Sequence, residues 1–241
     1  MLKDPLTTLG LAYDLHEPTN TSHNQPPIIF LHGLFGSKRN NQSICKVLSR
    51  DLNTRVYALD LRNHGDSFHH QDHDYSVMAE DVSTFINDHG LRDATVIGHS
   101  MGAKTAMTLA LREPDLKNSA IIYVFVPSLP VRQFLLGNLS RADGSPKLSF
   151  RIPLDILHRS LGTLGDFPHG HSERQRFVKP SLFIRGTKSG YVKDEMLPFI
   201  DQLFPNFQLV EIDAGHWLIS EQPEAFRQVV VNFVKVKTKT R

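Results

Sequence analysis

Short, mostly apolar runs alternate along the chain with longer stretches whose apolar residues recur every three or four positions. The runs are Ile28 to Leu31, Val56 to Leu59, Ala94 to Ile97, Ser119 to Val126, Ser181 to Ile184 and Phe207 to Ile212. Brief runs of this kind, bounded by turn residues, are the pattern of strands covered on both faces. Leu9 to Leu15 alternates more loosely, bounded by Gly10 and Glu17-Pro18, and predicts an early edge strand. Ser37 to Leu52 carries Ile44, Val47, Leu48 and Leu52 at helical spacing, with Ser37 as a cap. Tyr75 to His89 has the stripe Val77, Met78, Val82, Phe85 and Ile86 and is stopped by Gly90. Further helices are predicted over Ala103 to Leu111, Asp194 to Phe204 and Pro223 to Val236. The first helix is expected on one face of the sheet and the last on the other. Residues 127–179 break the pattern: no strand alternation is visible, and helix-like pieces lie near Val131 to Leu139, Pro153 to Leu164 and Glu173 to Val178.

This alternation predicts an α/β class protein, a mostly parallel central sheet with helices on both faces. At 241 residues the chain suits one large unit, 1–241, better than two small ones. A formal charge of +2 offers no footing for nucleic-acid or polybasic membrane binding, and the four Lys or Arg residues from Lys235 to Arg241 read as a solvated end. The single Cys45 excludes an internal disulfide framework and reads as a packed thiol. No run approaches the ~20 apolar residues of a membrane span. Met1-Leu2-Lys3-Asp4 has neither a secretory h-region nor the character of a transit peptide, so the expectation is a cytoplasmic chain or a leader outside it.

The chemistry concentrates at one turn, Gly98-His99-Ser100-Met101-Gly102, entered from a strand and left into a helix. A serine in Gly-x-Ser-x-Gly at such a junction is a nucleophile elbow, where the absent Cβ atoms let strand and helix approach and hold the hydroxyl on a strained turn. About 65 residues upstream, His32-Gly33-Leu34-Phe35-Gly36-Ser37 follows a buried strand. Acyl transfer builds negative charge on a carbonyl oxygen, and preorganised backbone N–H groups must receive it. The expected oxyanion donors are the amides of Leu34 and Met101. His216, in Ala214-Gly215-His216-Trp217 past the last strand, is the expected base. His99 is read as packing and hydrogen-bonding beneath the turn. His69-His70-Gln71-Asp72-His73-Asp74 resembles metal ligands superficially, but adjacent histidines in a loop lack fixed geometry, and a solvated loop is expected. No metal and no cofactor are expected.

The motifs 32–38, 59–67 (Leu-Asp-Leu-Arg-Asn-His-Gly-Asp-Ser), 98–107 and 214–217 together resemble the α/β-hydrolase superfamily. More narrowly, they are similar to the mitochondrial abhydrolase branch that includes fungal ethanol acetyltransferase-type enzymes. The resemblance implies an α/β-hydrolase fold with 127–179 as a reduced, mostly helical cap after the sixth strand. It implies a serine esterase or thioesterase acting on a small-molecule ester or thioester, with an acyl-enzyme that an alcohol can resolve instead of water. It also implies a mitochondrial location.

One part departs from the pattern. A triad needs a carboxylate to orient its histidine. The usual place after the seventh strand holds Ser189, and the branch's alternative at the end of the sixth strand falls on Val124. That strand passes almost directly into Pro127-Ser128-Leu129-Pro130, which reads as an internal deletion. Asp194 and Glu195 are the nearest substitutes, with N-capping the competing role for Asp194, while Asp213 is expected to point away. Two functions therefore stand: a Ser100 acyl-enzyme hydrolase or acyltransferase, or a hydrolase-fold binding module that does not turn over. Chemistries that use an aspartate nucleophile are disfavoured by the serine at 100.

Overall fold

The computed structural model describes residues 10–19, 25–114, 120–125, 138–141, 148–167, 176–190, 192–215 and 217–239. Seven strands form one sheet in the order β1-β3-β2-β4-β5-β8-β9, where β1 is Tyr13–His16, β2 Ile28–Leu31, β3 Val56–Leu59, β4 Thr95–His99, β5 Ala120–Phe125, β8 Ser181–Gly186 and β9 Phe207–Ile212. β1 pairs antiparallel with β3, and every other pairing is parallel. The α-helices among the described residues are α1 (Gln42–Leu52), α2 (Tyr75–Asp88), α3 (Met101–Arg112), α4 (Leu154–Gly165), α5 (Leu197–Leu203), α6 (Leu218–Glu221) and α7 (Pro223–Lys239).

Every residue of β2, β3 and β4 is buried, because alternate side chains enter two separate cores. Ile29 and Leu31 join α2 and α3 residues such as Met78, Val82 and Met107 in one core. Ile28 and Phe30 meet Ile44, Leu48, Phe226 and Val230 in the other. The first and last helices therefore share a face, contrary to the expectation that they lie on opposite ones. Strand order supplies the reason. The β2-to-β3 connection runs one way along the sheet and β3-to-β4, β4-to-β5 and β8-to-β9 run the other. Right-handed crossovers then put α1 alone on its face. The terminal α7, free of any crossover, covers the surface that α1 leaves open.

That reversal also makes a switch point between β2 and β4, where an open α/β sheet presents its functional crevice. The glycine-rich loop after β2 and the elbow after β4 are thereby brought side by side.

The 127–179 region contains more strand than its sequence suggests. β6 (Leu139–Arg141) and β7 (Leu148–Phe150) form an antiparallel pair, so Leu139 is a strand residue where a helix end was expected. Three residues per strand are too few for alternation to show in sequence. The helix expected near Pro153 to Leu164 is α4. Of the stretch Glu173 to Val178, only 176–178 are described, and they are irregular. There Phe177 donates its N–H to Leu203 O at 2.8 Å and buries its ring near Phe204.

The histidine-rich loop is also less solvated than predicted. His73 is buried against the His64 ring, with centroids 5.6 Å apart, although His69 and His70 stay at the surface. No group of three His, Cys, Asp or Glu residues suited to a metal occurs among the described residues. Nor is any described helix long and apolar enough to cross a membrane.

Candidate active site

Ser100 stands between β4 and α3 with φ 52° and ψ −114°, a left-handed backbone that a serine adopts at a cost. The two flanking glycines make this conformation possible. A Cβ at Gly98 would lie 2.3 Å from Gly102 O, and one at Gly102 would lie 2.6 Å from both His32 O and Leu31 O. Strand, helix and neighbouring strand thus close to main-chain contact around the serine, as the motif predicts.

The loop after β2 is braced against the elbow. Gly102 N–H donates to His32 O at 3.1 Å, and Gly36 N–H donates to Gly33 O at 2.9 Å. A Cβ at Gly33 would meet His99 Nδ1 at 2.9 Å and Ser100 Cβ at 3.3 Å, so Gly33 lies directly over the elbow. The amide hydrogens of Leu34 and Met101 have no acceptor among the described residues. Both residues flank this contact.

Two buried histidines hold the loop in shape. His32 Nε2 accepts from Leu61 N–H at 3.0 Å, and His64 Nε2 accepts from Phe35 N–H at 3.1 Å. Each Nδ1 faces a carbonyl, Gly33 O at 2.8 Å for His32 and Arg62 O at 2.9 Å for His64. An amide donor on one nitrogen and a carbonyl on the other specify the neutral Nδ1–H tautomer for both rings. Burial is the main force keeping His64 well below the ordinary histidine range, with the neighbouring His32 adding to it. Burial likewise lowers His32, against a smaller opposing effect of Asp60. Phe35, at φ 61°, is held from the other side by Asn138, whose Nδ2 donates to Phe35 O at 2.8 Å.

Beside the loop, Lys38 Nζ bonds Asp60 at 2.5 Å and Asp66 at 2.6 Å, with Asp60 fully buried. Burial pulls the Lys38 ammonium down, but the two carboxylates outweigh it and leave it raised. His64, Asn138 and Lys38 escaped the sequence reading. His64 lay in a motif already assigned to the functional edge, and nothing local marked it as the acceptor for an amide 29 positions away.

His99 does more than pack beneath the turn. It lies against Gly33, and its ring centroid is 6.1 Å from that of Trp217. Through His99 the loop after β2, the elbow and the loop after β9 meet at one place.

The model of the alpha/beta hydrolase fold family matches residues 26–173 and 130–223. The chain is an α/β-hydrolase. It is 34% identical to an abhydrolase domain-containing protein of Schizosaccharomyces pombe, covering 95% of this chain and 98% of that protein. It is 36% identical to a probable alcohol acetyltransferase of Saccharomyces cerevisiae, over 98% of this chain and 86% of the relative. The mouse sn-1-specific diacylglycerol lipase ABHD11 is 33% identical over 95% and 86%. Among solved structures, a marine microorganism esterase superposes with a TM-score of 0.84 at 29% identity, over 94% of this chain and all of that one. The alignment with the S. pombe protein runs over 269 positions, more than the 241 residues of this hydrolase, so that relative carries segments this chain lacks.

In this α/β-hydrolase the parallel register sets Val124 beside His99, the residue before Ser100. Ser189 donates its N–H to Gly186 O in the turn after β8. Asp194 opens a 3-10 turn with Lys193 at its N-cap, so N-capping is not its role. Its carboxylate instead bonds Arg185 at 2.6 Å while 77% exposed. The adjoining Glu195 is exposed. Asp213 is 76% exposed and pairs with Lys188 at 2.9 Å, consistent with a strand-end residue pointing away from the site. His216 lies outside the described residues.

Proposed function

We propose that this α/β-hydrolase forms an acyl-enzyme on Ser100. The strained elbow carries the reading, set against a loop whose Leu34 amide and the adjacent Met101 amide are without acceptors among the described residues. Ser100 Oγ attacks the ester carbonyl, His216 takes the proton and returns it to the leaving alcohol, and the two amides receive the oxyanion. Water then releases an acid, or a second alcohol takes the acyl group. The named activities of the relatives, acetyl transfer to alcohols and diacylglycerol lipolysis, support an oxygen ester of a small molecule as substrate. A thioester fits the same chemistry. Residues 1–241 form one unit in this reading, with 127–179 as a reduced cap, and the resemblance to the mitochondrial abhydrolase branch supports a mitochondrial location.

A fluorophosphonate probe tests the assignment. Folded wild-type protein becomes labelled, and Ser100→Ala abolishes labelling. Folded wild-type protein that takes up no label would overturn it.

A second reading is a hydrolase fold without turnover. It is favoured by the engagement of Asp194 with Arg185 and of Asp213 with Lys188, together with the Val and Ser at the two usual acid positions. Loss of the orienting acid lowers turnover by ~10⁴-fold. Val124→Asp separates the readings: a gain of esterase activity speaks for a slow enzyme, and no gain for a binding module.

A further inference from the structure

The loop that follows β9 is held from two directions. On one side it is pressed onto the end of β8, where Lys188 N–H donates to Ala214 O at 3.1 Å. A Cβ at Gly186 would lie 2.4 Å from the carbonyl oxygens of both Ala214 and Gly215. On the other side stands Glu221, the last residue of α6. Its Oε2 accepts from Gly215 N–H at 2.6 Å, and its Oε1 accepts from Trp217 N–H at 2.9 Å. One carboxylate therefore clasps the main chain immediately before and immediately after position 216. Glu221 N–H returns a bond to Trp217 O at 2.6 Å, which closes the clasp on itself. A side chain at 215 would bring its Cβ to 3.1 and 3.2 Å from the Glu221 oxygens, so the glycine there leaves room for them.

Among the described residues, three other carboxylates of this end of the sheet are engaged elsewhere. Asp213 bonds Lys188 and Thr187, while Asp194 and Glu211 both bond Arg185. An ionised carboxylate that accepts from two amides makes stronger and more directional bonds than neutral partners would. Its value to catalysis would be geometric, because Glu221 is exposed and solvent screens its charge.

We infer that Glu221 is the positioning residue for the base, fixing the backbone on both sides of His216. It thereby does through the main chain part of what a triad carboxylate does through the imidazole. The inference rests on the reading that Ser100 and His216 react. A misplacement of about 1 Å at a reacting group can cost ~10²-fold in rate. Glu221→Ala is therefore expected to lower kcat for a p-nitrophenyl ester, and the rate of Ser100 labelling, by ~10- to 100-fold, with KM nearly unchanged. Glu221→Gln keeps one carbonyl acceptor and should recover part of the loss. Gly215→Ala crowds the carboxylate from the opposite side and should lower kcat in the same direction, by less.

The inference is overturned by wild-type kcat in Glu221→Ala, or by a loss that merely follows the folded fraction with no recovery in Glu221→Gln. If Glu221→Ala does not fold, Glu221→Gln and Gly215→Ala decide. Reduced kcat at constant KM in both supports the clasp, and wild-type kcat in both rejects it. Folded wild-type protein without turnover or labelling rejects the Ser100 reading and this inference with it. Turnover that is lost in His216→Ala but intact in Glu221→Ala rejects this inference alone.

Discussion

Gly102 donates its amide hydrogen to His32 O at 3.1 Å, joining the first turn of the elbow helix to the start of the glycine-rich loop after β2. The bond requires that residue 102 have no side chain, since a Cβ there would lie 2.6 Å from His32 O and Leu31 O. Gly102→Ala forces α3 away from β2 and separates Ser100 from Leu34. The expected result is a stability loss of about 1 to 3 kcal/mol in urea unfolding and a sharp fall in fluorophosphonate labelling. A variant with wild-type stability and labelling would show that the contact does not set the elbow.

His64 holds the oxyanion loop through Phe35 N–H. His64→Leu keeps the apolar bulk but leaves that amide without its acceptor. The unsatisfied group should cost about 1 to 3 kcal/mol. Ser100 labelling should slow more than the melting temperature alone would explain, because the shift falls on the loop proposed to receive the oxyanion. Equal losses in both measurements would reduce His64 to a stability element.

Acid sensitivity follows from the same buried row. His32, His64 and His73 are each lowered from 6.5, burial being the largest cause in every case, and His73 falls to about 4. In the unfolded chain all three take up protons near pH 6.5, while in the fold each resists to a lower pH. Between the two values the unfolded state binds more protons. Stability is therefore complete above about pH 6.5 and falls as the pH drops, by up to ~1.4 kcal/mol per pH unit per histidine. Urea midpoints compared at pH 7.5 and 5.5 check this, and a midpoint unchanged or higher at pH 5.5 would contradict it.

Lys104 ties α4 to the elbow helix. Its Nζ donates to Leu164 O at 3.0 Å, Gly165 O at 2.9 Å and Asp166 O at 3.1 Å, satisfying carbonyls that a helix C-terminus leaves open. Tyr75 OH donates to the same Leu164 O at 2.7 Å. Lys104→Met removes three donors and should cost roughly 1 to 2 kcal/mol after solvent screening. If α4 lines the acyl site, KM rises for long-chain p-nitrophenyl esters and stays constant for the acetate. An equal change for both chain lengths would separate Lys104 from substrate selection.

Apolar runs and helical stripes located all seven strands of the sheet and the six longer helices to within a few residues, because periodicity and turn chemistry act over short stretches of chain. The two glycine motifs went further, since their spacing around Ser100 and after β2 is itself a statement about close main-chain approach. The three-residue strands of the 127–179 region and the four-residue α6 were too short to carry a period. Pairing between distant segments was invisible for a different reason. Which face α7 covers depends on the direction of each crossover. The neutral tautomer of His64 depends on an amide 29 residues away, and the commitment of Asp194 depends on Arg185 on another element. The amino-acid order alone determined the elements and the fold family, and it singled out Ser100 as the proposed nucleophile. Strand order in the folded sheet decided which histidines brace the glycine-rich loop after β2, and how Glu221 grips the loop after β9. These relationships exist only once remote segments share a boundary.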